Sequence, residues 1–245
     1  MKKFLIALFC LVLVSNYVTA QQKSIKAVDN FAEVTAGIGD GQGTGALAYV
    51  YNWKVGKRKK FELGLGAKFT SYFGSNLYFT TAPAKLTSGK TGPTVLFADD
   101  IKENIDSVLF PKAQINSLNI SLNLGYNITN KIYVGFSIDA IGFSFGKKQS
   151  GIYYGNNFAT VPVNGKPTSF NLLLVSDNDL GSLNSEFFVR YKWNSTWGVK
   201  LGYQFLFAEY TTDTKVQTTP GGDKNDRFRK KMSGVGIGLT YNFNK

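Results

Sequence analysis

A chain of 245 residues with 28 Lys and Arg against 16 Asp and Glu, one Cys and no His excludes several chemistries at once. Without an imidazole there is no Ser-His or Asp-His hydrolase, and no paired-carboxylate site replaces it, so no catalytic residue, cofactor site or metal site is assigned and an enzyme is not expected. No second apolar run reaches the roughly 18 residues of a spanning helix, whereas 20 Phe, 13 Tyr and 26 Gly with only 6 Pro suit many strands.

The first run is terminal: Met1-Lys2-Lys3, an apolar stretch over 4–14, then Val18-Thr19-Ala20 before Gln21. Residues 1–20 read as a secretory signal peptide cleaved after Ala20. Cys10 follows Ala7-Leu8-Phe9 rather than the small residues of a lipoprotein box, so lipidation is not expected. Cleavage removes the only Cys, and with it any disulfide. It also removes Lys2 and Lys3 from the 28 basic residues, leaving 26 against 16 acidic, a net charge of +10. An exported basic chain with no aromatic-basic helix is placed against anionic lipid or polysaccharide, not nucleic acid.

Residues 21–30 form a polar lead-in, and 31–245 read as one β domain. The first predicted strand, 31–39, alternates Ala32, Val34, Ala36 and Ile38 with Glu33, Thr35 and Gly37. Gly41-Gln42-Gly43-Thr44 is read as the hairpin that follows. Strand 45–54 sets Leu47, Tyr49, Tyr51 and Trp53 against Ala46, Ala48, Val50 and Asn52, and a basic turn, 55–60, leads to strand 61–72. There Phe61, Leu63, Leu65, Ala67 and Phe69 oppose Glu62, Gly64, Gly66, Lys68 and Thr70. A long connection, 74–112, includes a short helix expected over 100–109. Strands follow at 115–128, 132–146, 183–193, 197–210 and 232–243. Short turns lie at Thr129-Asn130-Lys131 and Asn194-Ser195-Thr196, and long connections span 147–182 and 211–230.

The last strand organises the reading. Val235, Ile237, Leu239, Tyr241 and Phe243 are assigned to one face, and Ser233, Gly236, Gly238, Thr240 and Asn242 to the other. A face of Gly and small polar residues fits the crowded inside of a narrow closed barrel, with the bulky face turned to lipid. The eight strands approach the roughly 9–11 residues that cross a tilted bilayer path. Aromatics sort to two levels. Trp53, Phe61, Tyr126, Trp193, Trp197 and Phe243 lie at the short-turn rim, and Tyr72, Phe143, Phe145, Phe187, Phe207 and Tyr210 are placed at the opposite one, as in two interfacial girdles. The fold class is therefore all-β, an eight-stranded antiparallel up-and-down transmembrane β-barrel.

The signal peptide, the alternating strands and the aromatic-ended last strand resemble the small outer-membrane barrels of Gram-negative bacteria, the OmpA/OmpX-type and PorT-like barrel families. Here Asn244-Lys245 follow the aromatic Phe243. The resemblance implies a bacterial outer-membrane location, contact with outer-membrane lipid and lipopolysaccharide, and dependence on the outer-membrane insertion machinery. It implies a structural or surface-binding protein. The alternatives are a narrow transport pore, a component of a secretion or translocation system, or a secreted lipocalin-like barrel with its aromatics inward.

Other motifs dissolve in context. Residues 84–91 match a permissive P-loop, but Pro83 precedes them and Gly92-Pro93 follow, leaving no place for the required helix. Gly41, Gly43 and Ala46 fit a loose dinucleotide fingerprint ahead of a strand, not a helix. The sequons at Asn119, Asn127 and Asn194 have no meaning on a bacterial export route. Asp99-Asp100, Asp177-Asn178-Asp179 and Asp223 with Asp226 lack calcium-loop spacing. The inward faces carry Glu33, Glu62, Asp139 and Glu186 against Lys68, Arg190, Lys192 and Lys200, a neutralised lumen charge network. In the outer loops Lys85, Lys90, Lys147, Lys148, Lys224, Arg227, Arg229, Lys230 and Lys231 surround Tyr153, Tyr154, Phe158 and Phe228. That mixture suits an anionic polysaccharide or a surface protein partner.

Overall fold

Period-2 alternation produces thirteen strands among the described residues, which in the computed structural model are 27–156 and 158–243. The signal peptide and most of the lead-in lie outside them. The strands are β1 (Val28–Gly39), β2 (Gln42–Val55), β3 (Phe61–Thr81), β4 (Ser107–Asn127), β5 (Ile132–Phe145), β6 (Gln149–Tyr154), β7 (Thr160–Pro167), β8 (Phe170–Leu172), β9 (Leu183–Lys192), β10 (Trp197–Thr212), β11 (Gln217–Thr218), β12 (Lys224–Asn225) and β13 (Arg227–Asn242). All pairings are antiparallel.

Those pairings close a ring of eight: β1, β2, β3, β4, β5, β9, β10 and β13, with β13 returning to β1 through Phe31 opposite Asn242. The ring is inverted relative to a water-soluble domain. Ile237 is 65 % and Leu201 64 % exposed on the outside, while Glu62, Asp139 and Arg190 are 0 % exposed within. Interior glycines give the larger side chains their room. A Cβ on Gly202 would stand 2.5 Å from Glu186 Oε1, and one on Gly236 would stand 2.9 Å from Gln204 Nε2.

Above this ring the upper ends of β3, β4, β10 and β13 recruit β6 and β7 into a second closed circuit of six strands. Ser107 pairs with Tyr154, Gln149 with Gly165, Tyr210 with Pro167, and Phe228 with Thr81. Its interior is conventional and apolar: Leu77, Phe79, Val108, Phe110, Tyr153, Val163, Tyr210 and Phe228 form one buried cluster. Phe79, Phe110 and Tyr210 meet at centroid distances of 4.5–5.4 Å, contacts that each add about 0.5–1.5 kcal/mol beyond area burial. The molecule is thus a polar-cored ring capped by an apolar-cored head.

Several sequence-based expectations are corrected. The first hairpin turns at Asp40-Gly41, both with positive φ (52° and 71°), and Gly39 pairs with Gln42; this is the Asp-Gly signature of a tight two-residue turn, so residues 42–44 are already strand. The connection 74–112 is strand at both ends, because β3 and β4 continue as a paired ribbon to Thr80 opposite Ser107. The helix expected over 100–109 is a single 3-10 turn at Lys102–Asn104, and the α-turn of this loop, α1, lies at Ala84–Ser88. The connections 147–182 and 211–230 likewise hold β6, β7, β8, β11 and β12. Tyr72 and Tyr210 are not part of an outer girdle; both are buried inward, at 1 % and 0 % exposure. Phe187 pairs with Phe136 and Tyr203 in mid-wall. In β13, Ser233 shares the parity of the outer face, and Met232 takes the inner place.

Candidate functional site

All eight charged residues read as inward do point into the ring, in three tiers. At the short-turn end, Arg190 Nη2 and Lys192 Nζ donate to Asp29 Oδ2 at 3.1 and 3.2 Å. The Arg190 guanidinium lies 4.0 Å from the Phe31 ring centroid and 4.6 Å from that of Tyr133. In this tier Glu62 accepts from Asn52 Nδ2 at 3.0 Å and Asn127 Nδ2 at 2.7 Å. In the middle tier, Lys200 Nζ donates to Glu33 Oε1 and Glu186 Oε2, both at 2.7 Å. In the upper tier Lys68 Nζ sits 2.6 Å from Asp139 Oδ1, and Asp139 Oδ2 accepts from Asn119 Nδ2 and the Asn184 amide. Glu33 Oε2, Glu186 Oε1 and Arg190 Nε have no hydrogen-bond partner among the described residues.

Sequence reasoning misses Asp29 and Glu209. Asp29 falls within the expected lead-in, yet it shares the parity of Phe31 and Glu33, and extending β1 by one step reaches it. With Asp29 the lumen network holds five acids against four cations rather than four against four. Glu209 has outward parity on β10. It is buried because the segment before β9 covers that face: Gly181 N donates to Glu209 Oε1. Arg227 Nε and Arg229 Nη2 bind Glu209 at 2.8 and 2.9 Å.

No protein-family model matches the chain, and no curated protein matches it. Among solved structures, it is similar to Neisserial surface protein A at 8 % identity, over 88 % of this chain and 96 % of that one, with a TM-score of 0.37. It is similar to a major outer membrane protein of Thermus thermophilus at 15 % identity (89 % and 100 % covered, TM-score 0.38). It is also similar to the attachment invasion locus protein Ail of Yersinia pestis at 7 % identity (88 % and 96 % covered, TM-score 0.33). At these identities and scores none of them lends its function to this chain.

The rims differ in character. Trp53, Phe61, Trp193, Trp197 and Phe243 are exposed on the outside at the short-turn end, and Tyr126 is half-buried beside them. They touch one another in edge contacts: Phe61 with Tyr126, and Trp197 with Tyr241, which in turn meets Phe243. Across the same end Lys54, Lys57, Arg58, Lys59, Lys60, Lys131 and Lys192 gather within three segments.

At the head several of the charges are answered by partners. Lys85 faces Asp223, Lys148 faces Asp213 and Lys231 faces Asp177. Arg229, Phe228 and Tyr153, expected on a loop surface, are buried in the head. Tyr153 donates its hydroxyl proton to Asp106; burial, together with that carboxylate, pushes its pKa up. Burial also raises the Asp179 carboxyl, against the lowering pull of the Leu174 amide and Arg229. The head also exposes two large apolar side chains, Phe97 at 92 % and Phe158 at 96 %.

Proposed function

We propose that the chain is an eight-stranded transmembrane β-barrel of a bacterial outer membrane, of structural or surface-binding type, whose lumen does not conduct. The observation that carries this is the inversion of the closed ring, with buried ion pairs inside and a continuous apolar surface outside. In water such a surface would expose a patch far larger than the few hundred Å² monomers tolerate; in lipid it is the stable arrangement. A lipocalin-like barrel would require the opposite sorting. The apolar head stands over one end of the lumen, which argues against the pore reading. The lack of His in the sequence supports a non-catalytic role.

The head is the part that would meet a partner. Its exposed Phe97 and Phe158 suit a protein surface, and exposed Lys90, Lys147 and Lys224 suit an anionic polysaccharide. Cell fractionation with a comparison of boiled and unboiled samples on a denaturing gel tests the membrane reading. An outer-membrane fraction with heat-dependent mobility is expected; a soluble fraction with heat-independent mobility overturns it. Planar-bilayer recording should give no stable conductance, and porin-sized steps would reject closure.

A further inference from the structure

The connection between β8 and β9 leaves the wall and crosses its outside. β8 stands beside β5, with Phe170 opposite Phe143 and Leu172 opposite Ile141, and Leu173 N donates to Ala140 O at 2.8 Å. A few residues on, Asp177 pairs at 2.8 Å with Lys231 of β13, on the other side of β10. Lys231 shares the outward parity of Val235 and Ile237 and lies opposite Phe207, which follows Tyr203 and Phe205 up the outer face of β10. The connection then returns to β9 over Glu209, whose side chain accepts from Gly181 N and whose amide donates to Ser182 Oγ. Residues 173–182 are therefore a strap laid across the outer face, just above the β10 residues that face lipid. The β3–β4 connection rests on this strap: Asn178 Nδ2 donates at 3.1 Å to the carbonyl of Gly92, the first residue of the 3-10 turn Gly92–Phe97. In that turn Val95 is buried while Leu96 and Phe97 are 61 % and 92 % exposed, and on the strap Leu174 and Val175 are 49 % and 39 % exposed.

We propose that the strap and the turn on it are a second membrane contact, in which Leu96, Phe97, Leu174 and Val175 enter the head-side leaflet at the boundary between headgroups and acyl chains. The occupant is lipid because the exposed apolar wall leads up to the strap, through Tyr203 and Phe205 on β10 and through Phe143 and Phe170 on β5 and β8. Apolar side chains set beside a lipid-facing surface leave water without a separate docking event. The contact sets the height at which the head stands over the leaflet. This proposal rests on the membrane reading, and it separates the exposed phenylalanines of the head. Phe97 meets lipid. Phe158 stands on the β6–β7 turn beyond Tyr154, whose partner Ser107 is the first residue of β4, and it stays in water.

The mature chain lacks Cys10, the single Cys of the sequence, so a nitroxide can be attached at one introduced Cys at a time. Phe97→Cys, Val175→Cys, Phe158→Cys and Ile237→Cys are each folded into phosphatidylcholine vesicles and labelled. Electron paramagnetic resonance then measures collisions of the label with oxygen, which concentrates in lipid, and with a neutral nickel chelate, which stays in water. The ratio of oxygen to nickel collisions at 97 and at 175 should shift away from the value at 158 and toward the value at 237. If 237 itself reads as water, the membrane reading fails and this proposal with it. If 237 reads as lipid while 97 or 175 matches a water-like 158, the strap contact alone is overturned. A lipid reading at 158 as well would erase the distinction between the strap and the rest of the head, and would also overturn it. Leu96→Cys and Leu174→Cys take the place of either strap variant that lacks heat-dependent mobility.

Discussion

Replacing Lys200 with Met tests whether the lumen network holds the ring together. Lys200 Nζ is the shared cation of Glu33 and Glu186, 2.7 Å from each, and its side chain is fully buried. At an effective dielectric of about 20, each contact has a gross attraction of about 6 kcal/mol. Desolvation of the three ions offsets most of this, but Met leaves two buried carboxylates without their cation, a change that costs about 3–5 kcal/mol. The unfolding equilibrium should therefore shift by roughly 10²- to 10⁴-fold. Urea unfolding in phosphatidylcholine vesicles reads this through the three Trp of the sequence. The variant Glu33→Gln/Glu186→Gln/Lys200→Met removes the orphaned charges as well and should recover at least half the loss. A loss under about 1 kcal/mol, within the range of exposed ion pairs, or no recovery in the triple variant, would refute the reasoning.

Three further outcomes follow from the two-part architecture. Ile237→Lys puts a charge on the middle of the outer face and should cost about 2–4 kcal/mol of insertion free energy, measured as the fraction that folds into vesicles; unaltered insertion would mean this face does not meet lipid. Phe110→Ala removes the centre of the head cluster and should cost about 3–5 kcal/mol. Hydrogen exchange should then accelerate in β6, β7 and the upper ends of β3 and β4 while the lower ring keeps its protection; equal acceleration everywhere would mean that head and ring are one cooperative unit. For Asp179, burial raises the folded carboxyl pKa above its ordinary value of 3.8. Its stabilising contribution is therefore complete below the unfolded pKa and lost as pH rises through the higher folded one. Asp179→Asn should flatten that part of the stability–pH curve and gain most over wild type at neutral pH; identical curves for the two proteins would count against it.

The ring was legible in the sequence because each strand carries its own two-fold pattern. Glu62-Gly64-Gly66-Lys68 against Leu63-Leu65-Ala67-Phe69 needs no tertiary information to be read, and the same parity placed all eight lumen charges. The head was less legible, in part because the upper end of β10 is covered on both faces. In β10, Ala208, Glu209 and Tyr210 are buried in succession, which erases alternation, and Glu209 becomes interior only when the segment before β9 folds across it. Gly, Pro and Thr between 74 and 112 suggested a loop, yet Leu77 and Phe79 bury themselves against Phe110 and Tyr210, a reason for continuing the ribbon that appears only once β10 is in place.

The same contrast governs the charges. Counted along the chain, the Lys and Arg of the long connections look like a basic surface, but their acids come from distant segments: Asp213 for Lys148, Asp177 for Lys231 and Glu209 for Arg227 and Arg229. The basic run over 57–60 has the bland appearance of a solvated turn. There the fold brings Lys54 and Lys192 beside it, and Lys192 is held by Asp29 from β1. Sequence position supplies the sign of each charge, and only the fold determines which of them are paired: Lys192 with Asp29 at the short-turn end, and Lys148, Lys231, Arg227 and Arg229 with Asp213, Asp177 and Glu209 at the head.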